Sequence, residues 1–248
     1  MRRRAFLGAM AGAVGSARGF AATRKPIRAV AFDAFVIFDG RTMVAAARET
    51  LGERGAAFTG AWLQKLFGNT WLLTSAGRYQ TFEAVAEASL ISAAETAQLS
   101  LSSEARSRLL ANFSRLGVWP DVPPALSKLR AAGIRACILS NLSEDLLASN
   151  LNQSGLASQF DAVLSTDRVG RYKPAPAAYA MGPEALGLPA AQIGFAAFGG
   201  WDAVGATWFG FPTAWVNRSG AAREWLDATP KVTSRGIDGV LTLTGVAR

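Results

Sequence analysis

The chain has 248 residues, half of them hydrophobic, with 26 Lys plus Arg against 18 Asp plus Glu, one cysteine and no histidine. A sequence without histidine excludes His-based triads, His general bases and His-rich zinc sites, so hydrolytic chemistry falls to carboxylate, hydroxyl, Lys, Arg or Tyr. The lone Cys137 sits in the apolar run Ala136-Cys137-Ile138-Leu139, reads as a buried small hydrophobe, and excludes an intramolecular disulfide.

Residues 2–4 are Arg2-Arg3-Arg4, followed by a weakly apolar stretch to about Val14 and by small residues at Gly19, Ala21 and Ala22. That is the layout of a secretory leader over residues 1–22. The order Arg3-Arg4-Ala5-Phe6-Leu7 resembles the twin-arginine export signal. It implies a periplasmic protein that meets the twin-arginine machinery in transit. The apolar part falls far short of the roughly 20 residues of a membrane span, so no stable membrane insertion is expected. The formal charge of +8 drops to +4 without the leader's Arg2, Arg3, Arg4 and Arg18. The remaining basic residues form no stripe, which argues against nucleic acid and mildly for a small anionic substrate.

Residues 27–33 read as a first strand: Ala29-Val30-Ala31-Phe32 is a continuous apolar run ending on Asp33. Parallel sheets place ligands at the carboxyl ends of their strands. A carboxylate there is a nucleophile, a metal ligand or only a polar strand end. From about Thr42 to Trp119 the pattern turns helical, with segments at 42–51, 61–73, 81–91 and 105–116. Asp121-Val122-Pro123-Pro124 restarts an α/β rhythm: a helix over 125–132 closed by Gly133, a strand over 135–139, a helix over 144–150 and a strand over 162–165. A helix over 177–186 closed by Gly187, a strand over 193–198, a helix to Phe209 and a strand over 213–216 follow. The expected architecture is a doubly wound parallel α/β sheet at 23–41 and 120–248, with a helical cap domain inserted at 42–119.

Strand ends then carry Asp33, Ser140-Asn141 and Asp202, with Lys173 on the loop after Ser165, and in a parallel sheet they converge on one rim. Each alone also reads as structure, a strand-end polar group or a helix cap. Their order and spacing as a set is more specific.

The set resembles the haloacid dehalogenase superfamily over residues 27–220: Phe32-Asp33, Leu139-Ser140-Asn141, Tyr172-Lys173-Pro174 and Trp201-Asp202 match its four motifs. Within it the likeness is to the (S)-2-haloacid dehalogenases, carried by Asp33-Ala34-Phe35, Trp71, Gly77-Arg78-Tyr79, Tyr179 and the stretch from Trp201 to Arg218. The resemblance implies metal-independent displacement of halide from a small 2-haloacid through an aspartyl ester, with no cofactor and a homodimeric assembly. It implies Asp33 as nucleophile, Lys173 holding it ionised, Asp202 positioning Lys173 or activating water, and Ser140 donating to the substrate carboxylate. Asn141 and Trp201 would cradle the halide and Tyr179 would orient the polar network. Phe35 stands where the superfamily's magnesium phosphatases carry a second Asp, which disfavours a metal.

The chain departs from the family at Ile37, where a Thr is expected, at Leu63, where an Arg faces substrate and halide, and at Ala197 and Gly199, which replace Ser and Asn. Ile37 and Leu63 make the pocket more apolar, Phe35 and Leu63 are expected to bind the substrate, and Arg41 or Lys65 are the nearby charges that would substitute. Three readings follow: a 2-haloacid dehalogenase, another hydrolase of the same fold, or a member that binds without turnover.

Overall fold

The computed structural model describes residues 26–247, and the leader expected over residues 1–22 lies outside them. The first strand, β1 (Ala29–Phe32), is buried on both faces, as its unbroken apolar run requires. Asp33 ends it and caps a four-residue helix, α1 (Ala34–Ile37). A short strand, β2 (Phe38–Asp39), leads into α2 (Arg41–Leu51), α3 (Gly55–Ser75), α4 (Phe82–Thr96) and α5 (Ser103–Ala111). β3 (Gly117–Val118) returns antiparallel to β2, so a two-stranded ribbon spans the foot of the four-helix insert.

The insert has its own core. Trp62 is buried, donates its indole N–H to the Ala86 carbonyl at 2.9 Å and meets Phe113 edge-on, which ties α3 to α4 and to the chain after α5. Its helix starts are encoded locally: Thr81 and Ser102 accept from the backbone N–H of Ala84 and Ala105.

The α/β part resumes with α6 (Val122–Ala131), β4 (Arg135–Ser140), α7 (Glu144–Ser154), β5 (Ala162–Ser165), α8 (Pro176–Leu186), β6 (Ile193–Ala197), α9 (Gly200–Phe209) and β7 (Thr213–Val216). Two further elements close it, β8 (Val232–Ser234) and α10 (Asp238–Thr244). The six-stranded sheet runs β5-β4-β1-β6-β7-β8, parallel at every pairing. The chain grows outward from β1 to β5, then crosses back so that β6 pairs with the other side of β1. The carboxyl ends of β1, β4 and β6 therefore lie side by side where the order reverses. The expected doubly wound sheet with a helical insert is the fold observed. β8 and α10 lie beyond the expected elements; for β8, Val232-Thr233-Ser234 gives no apolar run and Thr233 is exposed.

Cys137 lies in β4, fully buried, and burial pushes its thiol up to about 12, as befits a packing residue. Among the described residues no helix is long and apolar enough to cross a membrane.

Candidate active site

Asp33 is placed by two backbone constraints. Its N–H donates to the Ala196 carbonyl of β6 at 2.9 Å, and its Oδ1 accepts from the Phe35 N–H at 2.8 Å. The first fixes the residue at the sheet rim and the second fixes the carboxylate as an N-cap. Its other oxygen, Oδ2, accepts from Lys173 Nζ at 2.6 Å.

Lys173 is fully buried, and its ammonium also donates to Asp202 Oδ2 at 2.9 Å and to the Leu139 carbonyl at 3.2 Å. All three donors of the ammonium are thus engaged. Burial alone would lower its pKa, but Asp202 and Asp33 outweigh that and hold it above the usual lysine value. Its backbone N–H donates to Asn141 Oδ1 at 2.9 Å, so the motif after β4 positions the motif after β5.

Asp202 sits in the first turn of α9, buried, with Oδ2 on Lys173 and Oδ1 accepting from the Tyr179 hydroxyl at 2.7 Å. Burial raises its pKa to about 6; the Lys173 charge opposes that, and the nearby Asp33 reinforces it. Burial likewise keeps the Tyr179 phenol well above its ordinary value, so it stays a donor. Gly205 makes this contact possible: a Cβ there would lie 2.6 Å from the Tyr179 oxygen and 2.7 Å from Pro174 Cβ. Sequence reasoning gave Gly205 no role. The available signal was a glycine inside a helix, which costs about 1 kcal/mol against alanine and wants a packing reason.

Asp33 faces a chamber of about 70 Å³ that Ser140, Asn141, Phe35 and Trp201 also line. Ser140 Oγ accepts from the Leu142 N–H at 3.0 Å, which leaves its hydroxyl proton to give. Asn141 Nδ2 is buried and bonded to nothing. A buried amide donor without an acceptor, beside a chamber, is a group suited to an anion. The Trp201 indole packs between Phe67 and Trp71 of α3 at ring separations of 5.5 and 5.4 Å, so the insert closes the chamber on the core. A Cβ at residue 199 would lie 2.7 Å from the indole nitrogen of Trp201. The ring occupies space that a larger residue in place of Gly199 would claim.

Of the nine expected site residues, Asp33, Phe35, Ser140, Asn141 and Trp201 line the chamber, while Lys173, Asp202 and Tyr179 form a buried relay behind Asp33. Leu63 is elsewhere. Phe67, one turn further along α3, reaches the chamber, and Leu63 lines a second cavity of about 380 Å³. Phe35, Phe67 and Phe198 border both spaces. Of the two expected substitutes for the family arginine, Arg41 lines that second cavity and is held by Asp39 at 2.6 Å, while Lys65 is exposed and lines neither. Ile37 is buried core and borders neither space. Sequence reasoning missed Phe67, Phe82 and Phe198 at the chamber, since an aromatic at helical spacing carries no chemical signature.

A carboxylate aimed at a small, largely apolar chamber by a buried ammonium, opposite an unpaired amide, is equipped for nucleophilic displacement at carbon. The model of haloacid dehalogenase-like hydrolases matches residues 27–197. The (S)-2-haloacid dehalogenase of Pseudomonas sp. (strain YL) is 36% identical over 211 residues, covering 84% of this chain and 91% of its own. Haloacetate dehalogenase H-2 of Moraxella sp. (strain B) is 33% identical, covering 90% of this chain and 100% of its own. The crystal structure of the L-2-haloacid dehalogenase RSc1362 superposes with a TM-score of 0.86 at 37% identity, covering 89% of this chain and 100% of its own. The chain belongs to the haloacid dehalogenase-like hydrolases.

Proposed function

We propose that this protein hydrolyses short 2-haloacids through an aspartyl ester, without a metal, after export to the periplasm. The observation that carries the reading is Asp33, held by Lys173 at 2.6 Å and turned toward the 70 Å³ chamber. In the first step an Asp33 carboxylate oxygen attacks the halogen-bearing carbon from behind. The carbon–halogen bond breaks and the halide leaves with its electron pair. In the second, water adds across the ester, giving the 2-hydroxy acid, one proton and the regenerated carboxylate. Asn141 Nδ2 and the Ser140 hydroxyl supply the donors for substrate carboxylate and halide, and the edge of Trp201 completes the pocket. Asp202 acts through Lys173: it holds the ammonium from behind and, unlike Asp33, does not line the chamber.

The donor set argues for chemistry without a metal. A hard divalent cation takes six or more oxygens. Here Phe35 fills the place of a second carboxylate, and Asp33 and Asp202 are both spoken for by Lys173. Export rests on the Arg3-Arg4-Ala5-Phe6-Leu7 order, and homodimer formation on Trp71 and Leu72, large apolar side chains exposed on α3.

The test is halide release from (S)-2-chloropropionate and bromoacetate by the leaderless protein, with and without EDTA, beside Asp33→Asn. Release that withstands chelator and falls by about 10⁴-fold or more in the variant supports the reading. Folded protein that releases no halide overturns it in favour of binding without turnover.

A further inference from the structure

The second cavity, five times the size of the chamber at about 380 Å³, falls in the range of sites that hold a whole small molecule. Beyond the three shared phenylalanines its apolar lining includes Val44, Leu63 and Trp119. Three guanidiniums join the lining, Arg41, Arg218 and Arg235, and no carboxylate does. Asp39 holds Arg41, and Asp121 holds Arg218 through bonds of 3.0 and 2.9 Å, while the exposed Arg235 has no ion pair among the described residues. One positive charge is left over. Arg41 and Arg218 both lie over the Trp119 ring, at 4.5 and 4.2 Å, which fixes their forks. The Arg218 side chain is nine-tenths buried, yet its Nε–H has no acceptor.

This cluster is close to the chemistry. Arg218 Nη2 reaches the Val36 carbonyl at 3.4 Å, in the helix that Asp33 caps. Phe35, Phe67 and Phe198 wall both spaces, so only these rings stand between a molecule seated on Asp33 and the arginines.

We infer that the second cavity receives the far end of the substrate, a 2-haloacid whose apolar spacer ends in a second carboxylate. The inference rests on the dehalogenase reading. The spacer lies along the phenylalanine rings that border both spaces, and the distal carboxylate takes the spare guanidinium charge and the free Arg218 Nε–H. A surplus of one charge matches a monoanionic carboxylate better than a phosphate dianion.

The test compares α-bromo dicarboxylates, from bromosuccinate to bromosuberate, with α-bromo monoacids of the same length, in wild type, Arg235→Ala and Val44→Trp. The expected result is a kcat/KM advantage of about tenfold or more for the best diacid, collapsing toward unity in Arg235→Ala and lost for the longer diacids in Val44→Trp. Equal kcat/KM for diacid and monoacid at every length overturns the inference. Calorimetry with halogen-free adipate and hexanoate separates this from failure of the dehalogenase reading. If no bromide is released from any compound, adipate binding tighter than hexanoate, and weakened by Arg235→Ala, still supports the anion subsite. Indifference to the distal carboxylate removes it.

Discussion

Two ion-pair clusters flank α1, and their stoichiometry is opposite. At its N-terminal end one ammonium, Lys173, serves two carboxylates, Asp33 and Asp202, and all three are buried. Toward its other end three guanidiniums meet two carboxylates at a larger, partly exposed cavity. The first cluster carries an extra negative charge and the second an extra positive one. In the first, desolvation is severe, and the arrangement persists because the Phe35 N–H, the Leu139 carbonyl and the Tyr179 hydroxyl satisfy the remaining groups. In the second, water and ring faces share the load. In each, the unmatched charge marks the use: a carboxylate with more electron density than its cation can neutralise attacks carbon, and a spare guanidinium waits for an anion.

The largest effect should come from breaking the buried cluster. Lys173→Met leaves Asp33 and Asp202 side by side without a cation, a loss of about 3–5 kcal/mol in urea unfolding at pH 7. The penalty should shrink in acid. Asp202 has its folded pKa raised to about 6 from an ordinary 3.8, so the stability it contributes is full below about 4 and is lost as pH rises through 6. Protonating Asp202 also removes one of the two charges that the variant leaves unpaired. A variant that unfolds within about 1 kcal/mol of wild type at pH 7 would break the comparison, because burial would then not be what makes this cluster costly to disrupt.

The buried cluster was legible in the sequence and the exposed one was not. Asp33 and Ser140-Asn141 stand at strand ends, where an apolar run that stops on a polar residue announces a rim position; Asp202 lies in the first turn of the helix after β6 and Lys173 on the loop after β5, and the parallel sheet brings both to the same rim. The strands expected over 162–165 and 213–216 coincide with β5 and β7, whose short apolar runs end at or just before a polar residue. Arg218, Arg41 and Arg235 come from a loop, a helix start and the residue after an edge strand; nothing in their spacing unites them before the fold does. Leu63 shows the limit differently. A place along α3 does not fix the space a side chain faces: Phe67, one turn further on, reaches the chamber, while Leu63 lines only the second cavity.

A smaller change sharpens the role of the relay. The Tyr179 hydroxyl donates to Asp202 and helps hold its pKa down against burial. In Tyr179→Phe that pKa should rise above 6, so the acidic limb of kcat moves to higher pH and turnover at pH 7 falls several-fold, while bromoacetate KM stays nearly constant. Gly205→Ala pushes on the same hydroxyl from α9. The double variant should therefore lose little more than either single one. Additive losses, or a limb that does not move, would mean that Tyr179 only fills space.

The smallest effects separate burial from charge. Arg218 and Arg168 both pair with a carboxylate, but their side chains are 10% and 49% exposed. Arg218→Ala removes a two-pronged contact with Asp121 and the stacking on Trp119. Asp121, at 39% exposed, can recover water and keeps the Ile237 N–H, so the stability loss should be about 1–2 kcal/mol. Arg168 makes a single 2.5 Å bond to Glu144, itself 55% exposed. Two long, solvated side chains held in one geometry gain little, and Arg168→Ala should cost less than about 0.5 kcal/mol and less still in high salt. If the two variants lost equal stability, solvent exposure would not be what distinguishes one ion pair from another in this fold, and the cost assigned to the buried Lys173 cluster would need a cause other than desolvation.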